Sequence, residues 1–154
     1  MIDLEKIIHA KEELEEGSGR KLKIRIIDYG KDKERFKRKH SLDYIDYVPP
    51  MPKEKMVDFY RSIDILLFFS QRESESLGLV SLEAMSSGVP VLGPNRFAVP
   101  EYIVPGKSGR IYSNDLIGSL TALVDEMEEL NPREIIEERY SLDAVSEMYK
   151  ARFI

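Results

Sequence analysis

The sequence predicts an α/β fold in which one doubly wound parallel sheet is covered by helices on both faces. Short apolar runs rich in β-branched residues alternate with longer segments whose apolar residues recur at helical spacing, a pattern typical of successive βα units. One such run, Asp64–Phe69, is almost entirely apolar, as expected for a central strand of a parallel sheet. The 154 residues are enough for one domain, 1–154, around a single core.

The first half of the chain contains two predicted strands. Apolar residues at helical spacing predict an opening helix over about Asp3–Glu16, which the flexible segment Gly17–Gly19 ends. We predict the strands at Leu22–Ile27 and Tyr44–Val48, with a charged helix over about Lys33–Lys39 between them. The prolines that directly follow the second strand end it.

The second half contains three more strands. In chain order we predict a helix at Lys53–Arg61, a strand at Asp64–Phe69, a helix at Leu77–Ser87 ended by Gly88, a strand at Val89–Leu92, a helical turn at Val99–Ile103, a strand at Arg110–Tyr112 and helix over the remainder. A polar loop, residues 70–76, follows the most apolar strand. Because ligands of doubly wound sheets bind at the carboxyl ends of strands, we expect the functional site at this loop.

Composition excludes several functional classes. A formal net charge of -5 is not that of a basic nucleic-acid-binding protein, so we expect no nucleic-acid partner. The chain has no cysteine and only two histidines, so no disulfide and no metal site is expected. No segment has the apolar length of a membrane span or of a signal peptide. We therefore expect a cytoplasmic domain, with membrane association still open to a missing partner segment.

Glu83 is a candidate site residue because it lies in a predicted helix that is apolar almost all round. Burying an unpaired carboxylate is costly, so Glu83 needs a polar cavity or a strong partner, and a ligand with two adjacent hydroxyls is such a partner. Two structural alternatives are open. Glu83 either lies on a narrow exposed edge of the helix or pairs with a core arginine.

The start of the same helix is a candidate anion-binding site. Leu77, Gly78 and Leu79 would present free backbone N–H groups there, and the helix dipole favours negative charge. About 9 Å separates Leu77 from Glu83 along a helix, close to the span from a diphosphate to the ribose hydroxyls of a nucleotide. Glu75, just before the helix, is either a ligand contact or an ordinary loop acid beside the helix dipole.

A family resemblance rests on the segment from Glu75 to Val91, which reads Glu-x-Leu-Gly-Leu-Val-x-Leu-Glu-Ala-Met-x-x-Gly-Val-Pro-Val. It resembles the E-x7-E signature of the retaining family 4 glycosyltransferases. The preceding Tyr60–Leu67 and the following Pro100–Gly109 are similar to the same family, so the likeness covers about Asp3–Phe153. It implies the donor-binding, C-terminal domain of a two-domain GT-B enzyme of the hexosyltransferase type. Such an enzyme takes a nucleotide-diphosphate sugar as substrate and needs neither metal nor another cofactor.

The resemblance also implies roles for matching positions. The donor-binding residues would be Glu75, Ser76, Leu77, Gly78, Leu79 and Glu83. Glu75, the residue with the catalytic role, would contact hydroxyls of the donor sugar, and Glu83 would contact the ribose hydroxyls. The backbone amides of the residues between them would bind the diphosphate.

Parts of the sequence depart from the family's pattern. Its Gly-x-Gly after the first predicted strand reads Asp28-Tyr29-Gly30, so Gly30 alone matches, and its later glycine pair is Phe97-Ala98. Glu73 competes with Glu75 for the sugar contact, and Glu101 either lies near the donor or accepts hydrogen bonds at a helix start. The family's diphosphate-binding Arg and Lys have no match.

The resemblance further implies a three-layer, Rossmann-like sheet of six strands in the order 3-2-1-4-5-6. The five strands predicted here correspond to strands 2 to 6 of that sheet in chain order. The absent first strand leaves a gap, which a preceding segment of a longer chain, a strand of a partner subunit or direct pairing of the neighbouring strands would close. The acceptor-binding N-terminal domain is expected in cis or as a partner subunit, and without it we expect no sugar transfer. The alternative function is a catalytically silent nucleotide-binding or interaction module.

Overall fold

Helices and strands alternate along the chain. The computed structural model describes residues 4–27, 38–39, 42–69 and 77–153. Its helices are α1 (Leu4–Ser18), α2 (Lys53–Arg61), α3 (Leu79–Ser86), α4 (Val99–Tyr102), α5 (Leu116–Glu126), α6 (Pro132–Tyr140) and α7 (Leu142–Phe153), with a 3₁₀ turn at Met127–Glu129. Its strands are β1 (Ile24–Ile27), β2 (Ile45–Val48), β3 (Leu66–Leu67), β4 (Val91–Pro94) and β5 (Gly109–Tyr112).

The described strands form two parallel sheets, one of β1 and β2 and one in the order β3-β4-β5. The predicted α/β class with parallel strands is therefore confirmed. No hydrogen bonds join β1 to β3 in the part of the chain that the structure describes. The division falls where the order 3-2-1-4-5-6 places its first strand. The predicted gap is thus present, and the alternative in which its two neighbours pair directly is wrong.

Most predicted elements lie within two residues of the observed ones, but two strands need correction. The predicted strand Asp64–Phe69 is reduced to a ladder at Leu66–Leu67, and both residues are half-buried where full burial was expected. One edge of β3 faces the gap, so among the described strands β3 forms ladder hydrogen bonds with β4 alone. The predicted Val89–Leu92 is displaced to Val91–Pro94. Of the predicted helix 33–39, only residues 38–39 are described, and both are helical.

Two helices connect the sheets across the gap, one on each face. On one face α1 packs against Ile24 and Ile26 of β1 and against Leu67 of β3. On the other face α2 belongs to the same core cluster as Ile27 of β1 and Leu66 of β3. Alternate residues of both strands thus point to opposite faces, as the strand pleat requires.

The remaining helices complete both layers. α5 packs beside α1 over the inner strand β4, whose residues are all buried. α6 packs on α3, and α7 packs on α6. No helix in the described ranges has the length and apolarity needed to cross a bilayer.

An ion pair between a buried lysine and a half-buried glutamate of α1 contacts the segments that lead into β1 and β2. The Lys11 Nζ lies 2.9 Å from Glu15 Oε2 and 3.9 Å from the centroid of the Tyr44 ring. Glu15 Oε1 also accepts a 2.6 Å hydrogen bond from the Leu22 backbone N–H. This backbone N–H, and after it the Lys11 ammonium, lowers the pKa of Glu15 below its ordinary value.

We predict that Glu15→Gln removes part of the acid sensitivity of the domain. Because the pKa of Glu15 is lower when folded, its contribution to stability is complete above the unfolded value of about 4.3. That contribution is lost as the pH falls through the folded-state pKa. The difference in unfolding free energy between the parent chain and the variant, measured by urea denaturation, should shrink between about pH 5 and pH 3.

Glu12→Gln, at an exposed position of the same helix, serves as the control and should show little pH-dependent difference. If the difference in unfolding free energy between the parent chain and Glu15→Gln stayed constant across the same pH range, the lowered pKa of Glu15 would be contradicted.

Candidate functional site

The candidate site lies where β3 leads into α3, at the carboxyl end of the three-stranded sheet. Of the predicted site residues, the structure describes Leu77, Gly78, Leu79, Glu83 and Glu101. The predictions for Gly30, Glu73, Glu75 and Ser76 fall outside the described residues and stay predictions.

The start of α3 is open. Gly78 is the N-cap residue, and its left-handed φ of 70° makes the helix begin at Leu79, two residues later than predicted. No side chain of the described residues caps this end of the helix. Leu77 and Leu79 have 40% and 62% of their surface exposed, so a ligand can reach the first-turn N–H groups. The expectation of a helix buried all round is wrong at this turn.

Gly78 fits this position for a steric reason as well. A Cβ added there would lie 2.9 Å from Cζ of Phe68 and 2.9 Å from the hydroxyl oxygen of Tyr102. Phe68 follows β3, and Tyr102 belongs to α4, which follows β4. Both side chains are buried. The start of α3 therefore packs directly on the aromatic side chains of Phe68 and Tyr102.

Glu83 is half-buried on α3, and its partner is a tyrosine. The Tyr60 hydroxyl on α2 donates a 2.9 Å hydrogen bond to Glu83 Oε2. Burial, and after it the hydrogen bond to the Glu83 carboxylate, raises the pKa of Tyr60 well above its ordinary value, so this donor stays protonated at neutral pH. Among the described residues a neutral hydroxyl takes the place of a cation, so the core-arginine alternative is wrong. The half-burial of Glu83 is consistent with the exposed-edge alternative.

The two candidate features of α3 are one helical turn apart. Glu83 follows Leu79 by four residues, a rise of about 6 Å. The side chains of Ala84 and Met85, which directly follow Glu83, are fully buried in the core. α3 therefore presents an open amino end and a partly exposed carboxylate from an otherwise anchored helix.

The loop after β4 lies at the same carboxyl edge of the sheet. Phe97, one of the two residues in place of the family's glycine pair, has a φ of 55° and is the one non-glycine residue with positive φ in the described ranges. Its ring is 38% exposed, and the Arg96 guanidinium lies 5.9 Å from the ring centroid. Glu101 is exposed, and its carboxylate accepts no hydrogen bond from a backbone N–H of the described residues, so the expected helix-start bonds are not seen.

Sequence reasoning missed Tyr60 and Tyr102. Both are almost completely buried, with exposed fractions of 2% and 0%. The available signal was that Tyr60 falls among the apolar positions of α2, and a buried tyrosine hydroxyl usually needs a partner. That signal indicates that Tyr60 needs a buried partner but does not identify Glu83, which is 23 residues away in sequence.

We predict that Gly78→Ala destabilises the domain more than Gly88→Ala. Both glycines have left-handed φ angles, 70° and 87°, so both variants carry a backbone penalty of about 1–2 kcal/mol. A Cβ at Gly88 meets no atom within 4 Å, whereas one at Gly78 meets Phe68 and Tyr102. The additional loss for Gly78→Ala should be about 1–3 kcal/mol in urea unfolding. Equal losses of stability in the two variants would mean that Phe68 and Tyr102 move aside with no energetic cost.

Comparison with known proteins gives a consistent result. Residues 3–142 match the family of glycosyl transferases group 1. The D-inositol 3-phosphate glycosyltransferase of Mycolicibacterium smegmatis is 31% identical over 90 residues, which are 58% of this chain and 20% of that protein.

Two solved structures share the fold. The pneumococcal O-GlcNAc transferase GtfA, in complex with UDP and GlcNAc, has a TM-score of 0.69 and 16% identity over 97% of this chain and 32% of its own. The C-terminal domain of a glycosyl transferase group 1 family protein, LpcC from Francisella tularensis, has a TM-score of 0.63 and 20% identity over 88% of this chain and 78% of its own. The likeness confirms the doubly wound, Rossmann-like fold. The chain spans about a fifth of the curated relative.

Proposed function

This chain belongs to the glycosyl transferases of group 1, and we propose that it is the donor-binding, C-terminal domain of a retaining, metal-independent family 4 enzyme with GT-B architecture and hexosyltransferase activity. The observation that carries the proposal is the form of α3. Its amino end, which no described side chain caps, and the Glu83 carboxylate lie one turn apart on a helix anchored in the core. These are the two features needed to bind the diphosphate and the ribose of one nucleotide.

In the proposed complex the diphosphate binds at the N–H groups of Leu79 and its neighbours in the first turn of α3. A helix amino end attracts anions through its free N–H groups and its dipole. Leu77 and Gly78 precede the helix, and the absence of a Cβ at Gly78 lets a phosphate approach the backbone. As the bond from the anomeric carbon to the diphosphate breaks, the same N–H groups stabilise the negative charge that develops on the leaving group.

Glu83 binds the other end of the nucleotide in this proposal. Its carboxylate accepts hydrogen bonds from the ribose hydroxyls, and its half-buried position strengthens such charge-assisted bonds. Glu75 and Ser76 contact the donor sugar and the diphosphate, with Glu75 in the catalytic role. Gly30, Glu73 and Glu101 are secondary candidates for contacts around them.

The acceptor site belongs to an N-terminal domain, in cis or as a partner subunit. The chain covers 32% of the GtfA structure but 78% of the LpcC domain, which supports its assignment as one domain of a two-domain enzyme. The same partner region is the proposed source of the strand between β1 and β3. We propose a cytoplasmic location, since the sequence contains no cysteine.

The proposal predicts that the chain binds UDP without magnesium and that Glu83→Gln weakens this binding. Losing one charge-assisted hydrogen bond costs about 1.5–3 kcal/mol, or roughly ten- to a hundredfold in dissociation constant. Isothermal titration calorimetry with UDP, GDP and ADP, each with EDTA and with magnesium, measures the affinity and identifies the base.

The matched control is Glu12→Gln, which removes a carboxylate charge from an exposed position of α1. It should bind each nucleotide like the parent chain. Equal affinity of folded Glu83→Gln and of the parent chain for every nucleotide would count against the proposed site.

A further inference from the structure

Tyr60 donates the one hydrogen bond that the Glu83 carboxylate receives from the described residues. We infer that Tyr60 is a positioning residue of the nucleotide site, which fixes the Glu83 carboxylate in the orientation that binds the ribose. This inference rests on the proposed function, because it gives Tyr60 its role through the ligand of Glu83. Tyr60 itself lies beneath the surface and touches no ligand.

The environment of Tyr60 suits a fixed donor. The residue is 2% exposed, and its ring packs edge-on against Phe59, with 5.9 Å between the ring centroids. A buried ring in such contact has little freedom to rotate, so the position of its hydroxyl oxygen is set by the packing of α2. The hydroxyl has an acceptor at 2.9 Å, Glu83 Oε2, and that contact joins α2 to α3.

The bond to Tyr60 leaves most of the acceptor capacity of Glu83 for a ligand. An ionised carboxylate has about four lone-pair positions, and Tyr60 takes one of them on Oε2. Oε1 receives no hydrogen bond from the described residues. With Oε2 held in place, the carboxylate keeps its orientation before a ligand arrives. Two adjacent hydroxyls then bind a group that is already ordered, which saves the entropy of ordering it during binding.

The decisive experiment compares two ligands on one variant. Tyr60→Phe keeps the ring and its packing and removes the hydroxyl alone. By calorimetry its dissociation constant for UDP should rise about three- to tenfold, the effect of one lost hydrogen bond. Its dissociation constant for 2′,3′-dideoxyuridine diphosphate should not change, because that nucleotide has no hydroxyls for Glu83 to accept from.

A matched control and a double variant complete the design. Tyr44→Phe removes the hydroxyl of a half-buried tyrosine on the α1 face and should bind UDP like the parent chain. In a Glu83→Gln background, Tyr60→Phe should cause no additional loss, because the group that it orients is already changed. Circular dichroism and urea unfolding establish that each variant is folded, and Tyr60→Leu provides a second test if the phenylalanine variant is not.

Several results would overturn the inference. UDP affinity of Tyr60→Phe equal to the parent's, while Glu83→Gln is weakened, refutes the role of Tyr60 and leaves the proposed function standing. If Tyr60→Phe lost affinity equally for UDP and for the dideoxy nucleotide, the role of Tyr60 would be structural only. Failure of the parent chain to bind any of UDP, GDP and ADP, or no effect of Glu83→Gln, refutes the proposed function and this inference with it.

Discussion

The interruption of the sheet between β1 and β3 is the constraint on which the rest of the described structure depends. Ladder hydrogen bonds end there, so side-chain packing of α1 and α2 joins the two sheets. Leu66 and Phe68 donate their N–H groups to Pro90 and Leu92 on the β4 side. Because backbone groups alternate along a parallel strand, those of Leu67 point towards the gap. The short β3 follows from this, and in the chain β3 precedes the candidate site.

A series of polar and aromatic contacts crosses the same gap and reaches the site. Arg25 of β1 forms an ion pair with Asp46 of β2 at 3.0 Å and lies over the Phe59 ring of α2 at 5.3 Å. It also donates to the Ser62 hydroxyl just beyond α2. Tyr60, next to Phe59, then donates to Glu83 of α3. The position of the Glu83 carboxylate therefore depends on how α2 sits on the two-stranded sheet, and anything that fills the gap acts on the same helix.

The sequence allowed the order and type of the elements to be predicted, because apolar periodicity and glycine positions are local signals. α2 was predicted at its observed bounds for this reason. The length of β3 depends on which strands flank it, and no local pattern contains that information. For Glu83 the cost of burial correctly indicated that a partner was needed. The identity of the partner was not predictable, since Tyr60 is 23 residues away in sequence and meets Glu83 through the packing of two helices. The late start of α3 depends on Gly78, whose backbone conformation is decided by what lies beneath it.

The left-handed backbone conformation of Phe97 also depends on the packing of buried side chains around it. A left-handed φ of 55° costs a phenylalanine about 1–2 kcal/mol, and such a conformation persists only when the surrounding packing determines it. The residues that follow supply this packing, since Val99, Tyr102 and Ile103 are all at most 2% exposed. Their burial fixes α4 and therefore the turn that enters it. Because Tyr102 also supports Gly78, the strained turn after β4 and the open start of α3 are two consequences of one packing arrangement. Phe97 thus adopts a left-handed conformation in the place of the family's glycine pair, and the burial of α4 offsets the conformational cost.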